Sequence, residues 1–307
     1  EILKGINLVI DERPTAIIGQ NGAGKTTFVK LLKGLLRPTQ GNILFNGQDL
    51  SGFTAAQLAK DIGLVFQNPN DQIFKNTVID EVMFGPLQIG MDRQAAEASA
   101  QKALAMVGLE GTEKVNPYDL GLSDRKMVSI AAIIAMDTDA VIFDEPTIAQ
   151  DYMGKERIKA IMKALNREHK IVISILHDMD FVAETFERAI VFAKGNVLLD
   201  GDTRAVFGQK NMLEQAYLEQ PGAARLCHEL GYSEVFLSPE EFINFKKGKE
   251  LEEAYAGMES ESVRLITPLG YQTPAEFYPP PPTKPNRAAG PTFPTSERRS
   301  TGILPCG

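Results

Sequence analysis

An α/β fold with a mostly parallel sheet is predicted by three observations on this 307-residue chain. Short apolar runs, Thr15 to Ile18, Ile62 to Phe66, Ala140 to Phe143 and Ile171 to Ile175, alternate with stretches of helical spacing, as strands buried on both faces require. The first run feeds Gly19-Gln20-Asn21-Gly22-Ala23-Gly24-Lys25-Thr26-Thr27, a G-x-x-x-x-G-K-[ST] turn opening into the helical pattern Phe28-Val29-Lys30-Leu31-Leu32. From about 70 to 136 helical patterns alone prevail, which predicts an α-helical subdomain inserted into the sheet.

In chain order, Ile6 to Ile10 alternates and predicts a strand, with a turn at Asp11 to Pro14 before the phosphate-loop strand. Gly34 and Pro38 stop the first helix. Gly41 to Phe45 reads as a strand and Asn46-Gly47 as a hairpin turn, the start of an antiparallel β subdomain. A short helix over Thr54 to Lys60 leads to the strand ending at Gln67-Asn68-Pro69. Helices are expected at Thr77 to Phe84, Arg93 to Val107 and Asp124 to Met136, with breaks at Gly85-Pro86 and Gly108. Another lies between the last two parallel strands, about Gly154 to Glu168. A hairpin, Ala189 to Phe192 and Asn196 to Leu199, turns at Lys194-Gly195. Three segments result: a nucleotide-binding domain over 1–205, a helical extension over 206–261 (clearest at Met212 to Leu218 and Glu240 to Tyr255), and a tail over 262–307. The tail carries ten of the 18 prolines and no regular period, the composition of a disordered segment.

Composition excludes several classes. A hydrophobic content of 43% with 23% charged residues is that of an ordinary globular protein. A net charge of −8 leaves no broad basic face for nucleic acid. No apolar run approaches the ~20 residues of a membrane span. Cys227 and Cys306 are too few for a disulfide framework or a zinc site, so a reducing cytosol fits best. The chain opens on Glu1-Ile2-Leu3-Lys4 without a starting Met and reads as the middle of a longer sequence.

The chemistry begins with the glycine-rich turn. Consecutive backbone N–H groups can curl round a polyphosphate only where bulky side chains are missing, which gives Gly19, Gly22 and Gly24 their place. The helix behind adds the positive end of its dipole. Lys25 would reach the β- and γ-phosphates, and the Thr26 hydroxyl would complete a Mg²⁺ shell. Asp144 and Glu145 emerge at the carboxyl edge of a buried strand, where Asp144 can hold Mg²⁺ through water and Glu145 can polarise an attacking water. His177 and Gln67 each end another strand; alone, the histidine reads as a structural hydrogen-bonder and the glutamine carries no signal.

Taken together, Gly19 to Thr27, Gln67, Val141 to Thr147, Asp151 and His177 stand in the order found in the ATP-binding-cassette (ABC) ATPases, and the chain resembles that family over about residues 1–205. The resemblance implies a P-loop NTPase fold and gives these residues the places of the Walker A loop, Q-loop, Walker B strand with catalytic Glu145, D-loop and H-switch. It implies ATP and Mg²⁺ as cofactors, Gln67 touching Mg²⁺ and water and relaying to a membrane partner, and His177 contacting the γ-phosphate. Val65 to Phe74, with Gly85-Pro86, is similar to the ATPases of energy-coupling-factor importers of vitamins or metal ions.

The chain departs from the family where the Leu-Ser-Gly-Gly-Gln signature belongs. Leu120-Gly121-Leu122-Ser123-Asp124 fills that slot, losing the hydroxyl at Gly121, replacing glycine by Leu122 and adding the charge of Asp124. A register that aligns Leu122-Ser123 instead needs a two-residue deletion. The D-loop stretch Ile148-Ala149-Gln150-Asp151 keeps only its last acid, and the adenine-stacking aromatic of the family lies upstream of where this chain starts. Since the family's cassettes associate head to tail, each signature completing the partner's site, the expectation is an asymmetric heterodimer, with a homodimer possible. Such a subunit hydrolyses ATP for an importer, on membrane-spanning partners at the cytoplasmic face of the cell membrane. The alternatives are a weakly hydrolysing regulatory subunit, favoured by the altered signature, and a non-transport cassette, which a coiled-coil insertion or twin cassettes would mark.

Overall fold

A computed structural model describes residues 2–249. Glu1–Lys247 is one compact unit; of the second, Gly248–Gly307, only two helical residues are described. The tail from 262 and the latter part of the helix expected at Glu240 to Tyr255 lie outside the described residues.

Six strands form the main sheet: β1 (Thr15–Gly19), β4 (Ile62–Val65), β5 (Ala140–Asp144), β6 (Ile171–Ile175), β7 (Arg188–Ala193) and β8 (Asn196–Asp202). Their order is β4-β5-β6-β1-β7-β8, parallel throughout except for the closing β7–β8 pair. The side chains of β1 divide as a period of two demands, with Ala16 and Ile18 facing one core and Ile17 the other. On one face lie α1 (Lys25–Leu32), through Phe28 and Val29, and the apolar side chains of Leu3, Ile6, Leu8 and Ile10. The other core takes in α2 (Val78–Gln88), α3 (Arg93–Val107), α4 (Leu122–Ile134), α5 (Tyr152–Arg167) and α6 (Met179–Thr185). Both faces are covered, which is why the parallel strands read as near-continuous apolar runs. Short helices α7 (Thr203–Phe207), α8 (Lys210–Gln215) and α9 (Gly222–Glu229) follow the hairpin.

Several expected elements differ. Ile6 to Ile10 forms no strand: its alternation records one-sided packing on the core, without a neighbouring strand to share a ladder. The strand expected from Gly41 shrinks to β2 (Leu44–Phe45), paired across the Asn46-Gly47 turn with β3 (Gln48–Asp49). The helix at Thr54 to Lys60 is a single 3-10 turn, Gln57–Lys60, with only Leu58 buried to anchor it. α2 runs through Gly85-Pro86 rather than breaking there, because the stripe Val78, Val82, Met83 and Pro86 is buried and that packing outweighs the lost ladder bond. Gly85 is required by proximity: a Cβ would lie 2.7 Å from the Cγ and Sδ of Met136.

One ion pair ties the hairpin to the N-terminal stretch. The buried Arg188 guanidinium on β7 donates to both oxygens of Asp200 on β8 at 2.7 and 2.8 Å, and to the carbonyl of Val9 at 2.8 Å. Its fork geometry matches the carboxylate, so both charges are satisfied by direct bonds. Arg188→Met is expected to strand the half-buried Asp200 and lower the unfolding free energy by about 2 kcal/mol, read as an earlier urea midpoint at unchanged slope.

Candidate functional site

Parallel register builds the site. β4, β5 and β6 are adjacent, with Val65 opposite Phe143 and Asp144 opposite Ile175, so the chain leaves all three strands at the same edge. Gln67 stands two residues past β4, Glu145 one past β5 and His177 two past β6. Glu145 is the central member. Its Oε2 accepts from the Gln67 Nε2 at 2.9 Å, and its Oε1 lies 2.9 Å from the His177 Nε2. The backbone of Glu145 is in the left-handed region at φ 47°, where a non-glycine residue is unusual, and its N–H donates to Ile175 O at 3.1 Å. That conformation turns the carboxylate across the strand ends rather than along β5.

β1 delivers the glycine-rich turn to the same edge. Gly19 is needed for a reason other than phosphate: with φ 151°, a Cβ there would run into the carbonyl oxygen of Phe192 on β7. Asn21 and Gly22 stand exposed at the tip, Ala23 and Gly24 are buried, and Lys25, Thr26 and Thr27 form the first turn of α1 with the Thr26 side accessible. Lys25 is buried and folds back on the turn, donating from Nζ to Gly19 O at 2.6 Å and Gln20 O at 3.1 Å. Burial pushes the Lys25 ammonium down, while the charges of Glu145 and Asp144 push it up. The cation therefore sits in the field of the acid pair and holds two carbonyls that a polyphosphate could replace.

Asp144 carries the unpartnered oxygen of the site, its charge only partly offset by Lys126, Lys25 and Lys30. Its Oδ1 is buried and makes no hydrogen bond, and burial, followed by the neighbouring Glu145, raises its affinity for a proton. A buried carboxylate oxygen without a partner, on the sheet edge that also carries Thr26 and Gln67, gives a donor set of hard oxygens whose chemistry fits Mg²⁺.

At the signature slot, α4 begins at Leu122 with Gly121 as its extended N-cap, and no side chain caps it. Leu122 is exposed. Ser123 and Asp124 face this chain's own helix α5 and the turn before it: the Ser123 Oγ donates to Gln150 Oε1 at 2.7 Å, and Arg157 Nη1 donates to Asp124 Oδ1 at 3.0 Å. The negative charge that Asp124 adds is thus offset within the chain. Asp151 caps α5, its Oδ1 accepting from the Gly154 N–H at 2.7 Å.

Sequence reasoning missed Lys126. It lies on the buried face of α4, 2% exposed, and its Nζ donates to Phe66 O at 2.9 Å and also to Gln67 O. Burial pushes its ammonium down to about 8. The available signal was a lysine at helical spacing with the apolar Ile130. No helix among the described residues is long and apolar enough to cross a membrane.

A family model described as ABC transporter matches residues 3–148. The energy-coupling factor transporter ATP-binding protein EcfA of Methanocaldococcus jannaschii is 36% identical over 232 residues, covering 75% of this chain and 83% of that protein. Among solved structures, cbiO1 from Clostridium perfringens, described as part of the ABC transporter complex cbiONQ, matches with a TM-score of 0.64 and 31% identity, covering 75% of this chain and 92% of that one. A dimeric ATP-binding cassette in a post-hydrolysis state, bound to ADP and Pi, matches with a TM-score of 0.60 and 27% identity over 66% of this chain and 91% of that one.

A buried carboxylate oxygen with no hydrogen bond, its charge only partly offset by Lys126, Lys25 and Lys30, costs the empty fold. Asp144→Asn is expected to raise the melting temperature of the nucleotide-free protein, because the site no longer has to bury a charge. The same change should abolish the further rise that Mg-ATP gives the wild type; differential scanning fluorimetry with and without Mg-ATP reads both.

Proposed function

The chain belongs to the ABC transporter family of ATP-binding proteins, and from that membership we propose that it is the ATP-hydrolysing subunit of an importer of a small solute. The chain is an ABC ATPase with the P-loop fold. The importer reading is supported by its likeness to an energy-coupling factor ATPase and to cbiO1. The solute is a vitamin or a metal ion, carried through membrane-spanning partners, with this subunit peripheral on the cytoplasmic face. The cassette occupies about residues 1–205, with the helical subdomain at about 70–136.

One observation carries the chemistry: a single carboxylate, Glu145, held by Gln67 and His177 at 2.9 Å each, at the mouth of the phosphate-binding turn. In the reaction Glu145 accepts a proton from the attacking water, the water being aligned by the Gln67 carboxamide. His177 holds the other carboxylate oxygen and then meets the γ-phosphate. Lys25 exchanges the carbonyls of Gly19 and Gln20 for phosphate oxygens and offsets the charge that gathers on them. The N–H groups of the turn from Gly19 to Thr27 hold the rest of the triphosphate. Thr26, Gln67 and Asp144 would hold Mg²⁺, which neutralises charge on the phosphates when bound.

Two cassettes close head to tail over ATP, and this chain's Leu120 to Asp124 completes the partner's site. That stretch presents an exposed leucine where the family has a glycine, commits its serine hydroxyl to Gln150, and adds an acid, Asp124, held by Arg157. The site it completes is therefore the weaker one, and the natural assembly is a heterodimer whose strong site is built on this chain's own turn. The described part of the extension that belongs to the cassette unit, 206–247, lies beside the turn: the Gly222 N–H donates to Asp180 Oδ1 at 2.7 Å, and Tyr217, Glu219, Gln220 and Arg225 share a cleft of about 750 Å³ with Gln20, Asn21 and His177.

Glu145→Gln is expected to keep ATP binding and lower hydrolysis by about a hundredfold or more, leaving ATP trapped in the closed assembly; turnover equal to the wild type would remove Glu145 from this role. Steady-state hydrolysis by the isolated chain should be low and should rise when a second cassette with a Ser-Gly-Gly signature is added. Vigorous turnover by the homodimer would instead defeat the asymmetric reading.

A further inference from the structure

Three side chains, through four hydrogen bonds, bind α4 to the loop that follows β4. Lys126 Nζ donates to the carbonyls of Phe66 and Gln67, the first residues past the strand. Gln72 clamps the same turn, its Oε1 accepting from the Phe66 N–H at 3.2 Å while its Nε2 donates to Ser129 O at 2.8 Å. Arg125 Nη1 reaches Asn70 Oδ1 at 2.8 Å. Phe66 and Gln67 lie beyond the end of the β4–β5 ladder at Val65, so their inward carbonyls need another donor. An ammonium is a costly way to supply one. Burying a lysine at 2% exposure is unfavourable, and a neutral helix residue of similar length would pack as well. What the ammonium does that an apolar side chain cannot is face the charges of Asp144 and Glu145 and at the same time hold two successive carbonyls with one group, fixing the peptide between them. From that peptide the Gln67 side chain extends to Glu145 at 2.9 Å.

We propose that Lys126 is a positioning residue for hydrolysis: by gripping the carbonyls of Phe66 and Gln67 it aims the Gln67 carboxamide at Glu145 and ties that aim to helix α4. The inference rests on the roles given above to Glu145 and Gln67. It makes the helix that carries the altered signature part of the machinery of this chain's own site. A displacement of the α4 start is then felt at Gln67 through Lys126, with no intervening flexible segment.

The test uses the full chain with Lys126→Met, and Lys126→Gln as a second variant that keeps a neutral donor and the fold. In either variant the amides of residues 66–72 should exchange with deuterium about tenfold faster, while those of β1 and β5 keep wild-type rates. The ATP turnover number should fall by about tenfold for Lys126→Met, and less for Lys126→Gln, with the dissociation constant for Mg-ATP changed less than about twofold. On a Gln67→Ala background the Lys126→Met change should add no further loss of turnover, since the residue it serves is already gone. Unchanged exchange and turnover in the single variants overturn the inference. So does an equal, additive loss on the Gln67→Ala background, or a loss confined to ATP affinity. If the wild type itself fails to hydrolyse ATP with a partner cassette, the catalytic reading falls; exchange over 66–72 then decides separately whether Lys126 holds the loop.

Discussion

The structure depends on the parallel alignment of β4, β5 and β6. Neighbouring strands about 4.8 Å apart, paired without a slip, deliver three chain exits to one edge at the spacing of side-chain hydrogen bonds. Gln67 and His177 can meet the two oxygens of Glu145 only because they leave the strands on either side of it. A one-residue slip of β4 against β5 would turn Val65 from one core to the other and carry Gln67 away from the carboxylate. The requirement that apolar side chains fill both faces of the sheet is therefore the same requirement that assembles the site.

Electrostatics then make the assembled edge receptive to a charged ligand. Lys25 is buried against carbonyls of its own turn, and Asp144 carries a buried oxygen with no partner. Neither arrangement favours the empty fold. In the proposed reading each would be relieved by a triphosphate and its counter-ion, which would supply oxygens to the ammonium and a cation to the carboxylate. The left-handed backbone at Glu145 belongs to the same pattern of local cost accepted at a functional edge.

Helix α4 faces two ways. Its first turn presents Leu122 to solvent and spends Ser123 and Asp124 on contacts with Gln150 and Arg157 of the same chain. One turn further, Lys126, Ser129 and Arg125 hold the loop that carries Gln67. Ser123 and Asp124, which the proposed assembly would turn toward a second cassette, are instead bonded to this chain's own Gln150 and Arg157. In the proposed assembly, asymmetry between the two sites would follow from how the polar groups of this one helix are distributed.

The phosphate-binding turn, the alternation of strands and helices and the acids after Phe143 were legible because each is local. A glycine-rich turn between an apolar strand and an amphipathic helix states its own context, and the parallel strands announce burial on both faces. Ile6 to Ile10 and Thr54 to Lys60 misled for the opposite reason: alternation or helical spacing over five to seven residues cannot say whether a ladder partner or enough buried surface exists. Gly85-Pro86 looked like a break because the packing of Pro86 and Met136 is invisible in the string. That Glu145 stands between Gln67 and His177, that Arg157 answers Asp124, and that Lys126 grips Phe66 and Gln67 was decided only by the tertiary structure. These contacts join residues 32 to 78 positions apart, brought together by the sheet order and the seat of α4, which no local propensity encodes.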